Sequence, residues 1–121
     1  MTIDEMHELL DELSAEIPPA FFDELNGGIN LLPDTRRSDH GPDLFTMGDY
    51  NHGGPMGRYI NIYYGSMQRV YRHLEREEYK EALWEVLRHE FRHHIESLAG
   101  ECDLEIEDKE FIEEYLSGFE E

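Results

Sequence analysis

His89, Glu90 and His93 belong to the run His89-Glu90-Phe91-Arg92-His93, an HExxH pattern. Two imidazoles four residues apart on a helix point the same way and can share one Zn²⁺. A zinc held there lowers the pKa of its bound water toward ~7. Glu90 is then the general base that removes the proton and later delivers it to the leaving amine. The chemistry implied is metal-assisted hydrolysis. Tyr59, Tyr63 and His52 are candidates to stabilise the oxyanion that such a reaction develops.

A motif that fixes only three residues arises by chance on solvated helices, so its frame matters. No Gly or Pro interrupts the chain from Ser66 to Ala99. At ~100° per residue, with His89 taken as zero, His93 falls near ~40°. Leu83, Trp84, Leu87, Phe91, Ile95 and Leu98 gather on the opposite side. One face is core, and the other carries the two histidines. His94 falls near ~140° on the same wheel. It is therefore expected to be a packed, hydrogen-bonded histidine and not a ligand.

The elements that must position this helix read as follows. Thr2-Ile3-Asp4-Glu5 is a T-x-x-E capping box, followed by Met6, Leu9, Leu10 and Leu13 at helical spacing. Pro18 and Pro19 suit the opening turn of a short second helix with Phe21, Phe22 and Leu25, which Asn26-Gly27-Gly28 stops. Ile29 to Leu32 reads as a strand, Asp34 to Asp43 as a polar loop, and Leu44 to Tyr50 as a second strand. Arg58 to Tyr64 alternates a polar-aromatic face with a mostly apolar one, the clearest strand pattern in the chain. If it lies at a sheet edge, it can take an extended peptide by strand addition. Gly65 ends it, and Ser66 can cap a helix with Met67, Val70, Tyr71 and Leu74. The motif helix runs from about Tyr79 to Ala99, and Asp108 caps a last helix with Phe111, Ile112, Tyr115 and Leu116. Helices, a few short strands, then helices make an α+β protein with a small, mostly hairpin-linked sheet.

The length of 121 residues fits one domain over residues 1–121. Ten Lys and Arg against 29 Asp and Glu give a net charge of −19, which repels phosphate backbones and anionic membranes. Neither nucleic acid nor membrane is expected as a partner, and the chain is expected to be a monomer. The acidic start MTIDEMHELLDEL lacks a signal peptide's basic region, which points to the cytoplasm. Cys102 is the single cysteine, which excludes an internal disulfide and a Cys cluster for zinc.

With its elements placed, the chain resembles the small bacterial zincin-like metallopeptidases, or minimal zincins. The likeness runs through Glu16-Ile17-Pro18-Pro19, Gly28 to Pro33, Arg58 to Gly65 and, most specifically, Val86 to His94. It implies a mixed sheet packed on an active-site helix, with zinc in a cleft beneath the strand nearest that helix. The family pattern continues HExxHxxGxxD, its Asp the expected third ligand. Here Gly100-Glu101-Cys102-Asp103 stands four residues later, about one helical turn or ~6 Å of rise. If the chain reverses at Gly100, the segment to Asp103 spans at most ~10 Å, enough to return beside His93. Asp103 is thus the favoured third ligand, and Glu96 the alternative. Glu96 shares the helix with both histidines, which gives poor tetrahedral angles, and it can simply pair with Arg92.

The reading is a zinc-dependent metallohydrolase, a peptidase by resemblance, acting on a peptide or protein substrate. The alternative is a non-catalytic, metal-binding acidic module that binds a basic protein partner. A third is an acidic interaction protein in which the two histidines belong to a solvated helix face and hold no metal.

Overall fold

In the computed structural model, residues 1–38, 44–55 and 57–100 are described, with 99 and 100 by backbone alone. The first helix, α1 (Ile3–Glu16), starts where the capping box places it. The Glu5 amide donates to Thr2 Oγ1 at 3.1 Å and the Thr2 amide to Glu5 Oε1 at 3.0 Å, which satisfies two of the helix's free donors. Its stripe of Met6, Leu9, Leu10 and Leu13 is buried. The segment opened by the two prolines is a single 3₁₀ turn, Pro19–Phe22, and not an α-helix. Phe21 and Phe22 lie 6.2 and 5.3 Å, centroid to centroid, from the Phe91 ring.

Three strands follow, β1 (Gly28–Leu32), β2 (Gly48–Asn51) and β3 (Tyr59–Tyr63), in the spatial order β1-β3-β2. β1 runs parallel to β3 and β2 antiparallel to it. The sheet is therefore mixed, as the resemblance implies, but the β1–β3 half of its pairing is a parallel crossover where hairpins were expected. β2 is also shorter than the expected Leu44 to Tyr50. Before it, Phe45 forms only an isolated bridge with Arg37.

β3 is the central strand, so the expectation that Arg58 to Tyr64 could present an edge fails. Both its sides carry partners, and strand addition needs unpaired N–H and C=O groups. Its alternation is as read: Ile60 and Ile62 are fully buried, while Tyr59 and Asn61 on the opposite face keep contact with solvent.

α2 (Tyr64–Tyr71) follows β3 directly. Ser66 is not its cap but lies buried inside it, its Oγ accepting from the Arg36 amide at 2.8 Å. The reason lies in Gly65: a Cβ there would stand 2.7 Å from the Asp34 carbonyl oxygen and closer still to Thr35. The missing side chain lets the helix begin against that backbone instead of ending the strand.

α3 (Arg76–Gly100) carries the HExxH run. Leu83, Leu87, Phe91, Ile95 and Leu98 are buried along one stripe, with Trp84 packed partly against the core, as the helical phase requires. The chain is thus α+β, and the described residues form a three-stranded sheet with helices packed on its apolar face. No helix among the described residues is long and apolar enough to cross a membrane. The expected helix opened by Asp108, the thiol of Cys102, and Asp103 lie outside the described residues.

Candidate metal centre and active site

α3 packs against β2, and this contact builds the site. At Gly48 a Cβ would meet Asn61 O at 2.9 Å, Ile62 Cδ1 at 3.1 Å and Val86 Cγ1 at 3.1 Å. Glycine therefore lets an edge strand come down onto the motif helix. Between them is a cleft of about 450 Å³. Gly48, Asp49, Tyr50 and His52 line it from the strand side, and His89, Glu90, His93 and Ser97 from the helix.

His89 Nε2 and His93 Nε2 are 3.1 Å apart, with the rings nearly perpendicular at 88°. Two nitrogen lone pairs at that distance repel, so a proton or a cation has to lie between them. The edge of a zinc tetrahedron with Zn–N bonds of 2.0–2.1 Å is about 3.3 Å, so the pair fits two ligand positions. Burial and the neighbouring His93 and Arg92 charges hold His89 below its usual pKa. That favours the neutral imidazole a metal requires. Among the described residues no third His, Cys, Asp or Glu completes a metal-holding group with them. Glu96, the alternative third ligand, is exposed and is not gathered into the cleft.

Glu90 sits between the two histidines but points inward, with 4% of its surface exposed. Burial first, and then the Asp49 charge, push its carboxyl up to about 7. A group poised near neutrality can both take and return a proton, as general acid–base work requires.

The three oxyanion candidates separate. His52 lines the cleft. Tyr63 does not: its hydroxyl donates to Asp49 Oδ2 at 2.7 Å and accepts from the Arg36 guanidinium at 2.8 Å. Tyr59, on the same outward face of β3, is not among the residues that line the cleft.

His94 is packed as expected and fully buried. Its Nε2 lies 2.8 Å from the Asp23 carbonyl oxygen and its Nδ1 2.9 Å from the Tyr50 hydroxyl. A carbonyl only accepts, so Nε2 carries the proton and Nδ1 accepts from Tyr50. Burial holds this histidine below its usual pKa, in keeping with that neutral tautomer.

Tyr50 and Asp49 were missed in the sequence. Tyr50 stands opposite Ile60 in the β2–β3 register and so shares the face turned to α3, while Asp49 stands opposite Asn61 on the other face. The alternation within Gly48–Asn51 carried that signal, but a four-residue strand gives it little length.

No protein-family model and no curated protein matches the chain. Among solved structures it is similar to a conserved hypothetical protein from Thermus thermophilus, with 32% identity and a TM-score of 0.74. The alignment covers 83% of this chain and 99% of that one. At that identity over nearly the whole of the other chain, the protein belongs to the same family as this conserved hypothetical protein.

Proposed function

We propose that the protein is a zinc-dependent metallopeptidase of the zincin-like kind, working in the cytoplasm as a single domain. The observation that carries the reading is the pairing of His89 Nε2 with His93 Nε2 at 3.1 Å beside a buried Glu90 whose carboxyl is pushed up to about 7. His89 and His93 would hold the metal, and Asp103, which follows the described residues, is proposed to complete the set. When bound, zinc supplies Lewis-acid polarisation of the scissile carbonyl and acidifies the attacking water.

The chain's own groups do the rest. Glu90 takes the water's proton on its carboxylate and returns it to the departing amine, so one residue serves as base and then acid. His52 donates to the oxyanion from the strand side. β2 bonds β3 on one side, and its other side carries no strand among the described residues. An extended peptide added to that edge would lie along the cleft above Glu90.

The test is the Glu90→Gln variant, with zinc content and hydrolysis of a peptide library measured together. Full zinc with hydrolysis abolished is the expected result. Equal turnover in variant and wild type would refute Glu90 as the base. Bound, fold-stabilising zinc with no turnover by the wild type would favour the acidic binding module instead.

A further inference from the structure

The cleft continues past Glu90. A second cavity, of about 320 Å³, opens on its far side, and Gly48, His89 and Glu90 line both. Its chemistry differs from that of the first. Met47, Ala82 and Val86 line it with Thr46 and Tyr71, and exposed Glu85, one helical turn before His89, adds a carboxylate. No Lys or Arg lines it.

We propose, resting on the peptidase reading above, that this cavity receives the side chain of a lysine or arginine next to the scissile bond. Its position follows from the shared residues: a side chain in it is one step from the carbonyl that Glu90 and the histidines address. Its character follows from the walls. A basic side chain is an apolar stem with a charged tip, and the stem can lie on Met47, Ala82 and Val86 while the tip reaches the Glu85 carboxylate. A purely apolar side chain fills the same walls but leaves Glu85 without that partner. An acidic one meets Glu85 and Glu90 in a chain of net charge −19.

The test is binding, with cleavage as a second arm. Zinc-loaded Glu90→Gln protein is titrated with three blocked, labelled hexapeptides that differ only in a central Lys, norleucine or Glu, followed by fluorescence anisotropy. Norleucine supplies the stem without the charge. A partly exposed ion pair contributes about 0.2–1 kcal/mol, so Lys should bind up to about five-fold more tightly than norleucine, and Glu most weakly. Adding Glu85→Gln, at an exposed position where the fold is insensitive, should erase the Lys advantage over norleucine. Equal binding of Lys and norleucine, a Lys advantage that survives Glu85→Gln, or no binding of any of the three would overturn the assignment. The two readings fail separately. A Glu85-dependent Lys preference with no cleavage by wild type sinks the peptidase and supports the cavity. Cleavage by wild type with no preference for a basic residue sinks the cavity and spares the peptidase.

Discussion

Replacing Glu90 by Gln should make the metal-free protein more stable at alkaline pH and leave it nearly unchanged in acid. The folded carboxyl is pushed up to about 7 from an ordinary 4.5, chiefly by burial. Between those values the folded state holds a proton that the unfolded state has lost. Stability from this group is therefore full below about pH 4.5, falls as the pH rises from there through 7, and is lost above it. At ~1.4 kcal/mol per pKa unit the whole shift corresponds to about 3 kcal/mol. Glu90 borders two open cavities whose water screens its charge, so roughly 1–2 kcal/mol is the effect to expect. The two histidines His89 and His94 run the other way. Their pKa values are lowered, so the stability they confer is lost as the pH falls below about 6.5. Wild type alone would show a blend of these trends, and only its difference from Glu90→Gln isolates the carboxyl. The assay is urea unfolding of both chelator-treated proteins at pH 5 and pH 8. The variant should gain roughly 1–2 kcal/mol on wild type between the two. With zinc restored the gain should shrink, because a neighbouring cation favours the carboxylate. A difference that does not change with pH, or a variant that loses ground as the pH rises, would refute the buried, proton-holding Glu90.

Other consequences can be checked on the same protein. Gly48→Ala forces a Cβ to 2.9 Å from Asn61 O and 3.1 Å from Val86 Cγ1 and should cost about 1–3 kcal/mol of stability. Val86→Ala should restore only part of it, because the backbone oxygen remains; a Gly48→Ala protein as stable as wild type would contradict the close strand–helix contact. Tyr50→Phe removes the donor to His94 Nδ1 and should destabilise by about 1–3 kcal/mol, while ¹⁵N NMR of wild type should show the His94 proton on Nε2. A proton found on Nδ1 would rule out that arrangement. Peptide added antiparallel to β2 would place its carboxyl-terminal half toward Met47, so mass-mapped products should carry the basic residue just after the cut bond. Basic residues found just before it would reverse the chain direction.

Much of the helical framework was legible because its signals are local. The Thr2–Glu5 box, the stripe from Met6 to Leu13 and the run from Leu83 to Leu98 each depend on residues within a few turns of one another. Helical phase separated His89 and His93 from His94, and the structure keeps that separation. The strand Tyr59–Tyr63 was legible too, but its place in the sheet was not. Alternation gives a strand two faces and says nothing of how many neighbours it has. Ser66 misled for a related reason: it has the chemistry of a cap, but the bond it makes is to Arg36, 30 residues earlier in the chain.

By itself, then, the sequence determined the chemistry on offer: two imidazoles and a carboxylate on one helix, two of them turned from the core and one set between them. Only the tertiary structure decided what faces that helix. Pairing β3 in the centre leaves β2 at the edge among the described residues, and Gly48 lets β2 approach. That approach brings Tyr50 and Asp49 to the site and buries Glu90 deeply enough to raise its pKa. Strand order and desolvation both arise from contacts between distant segments, which no periodicity along a single stretch of chain records.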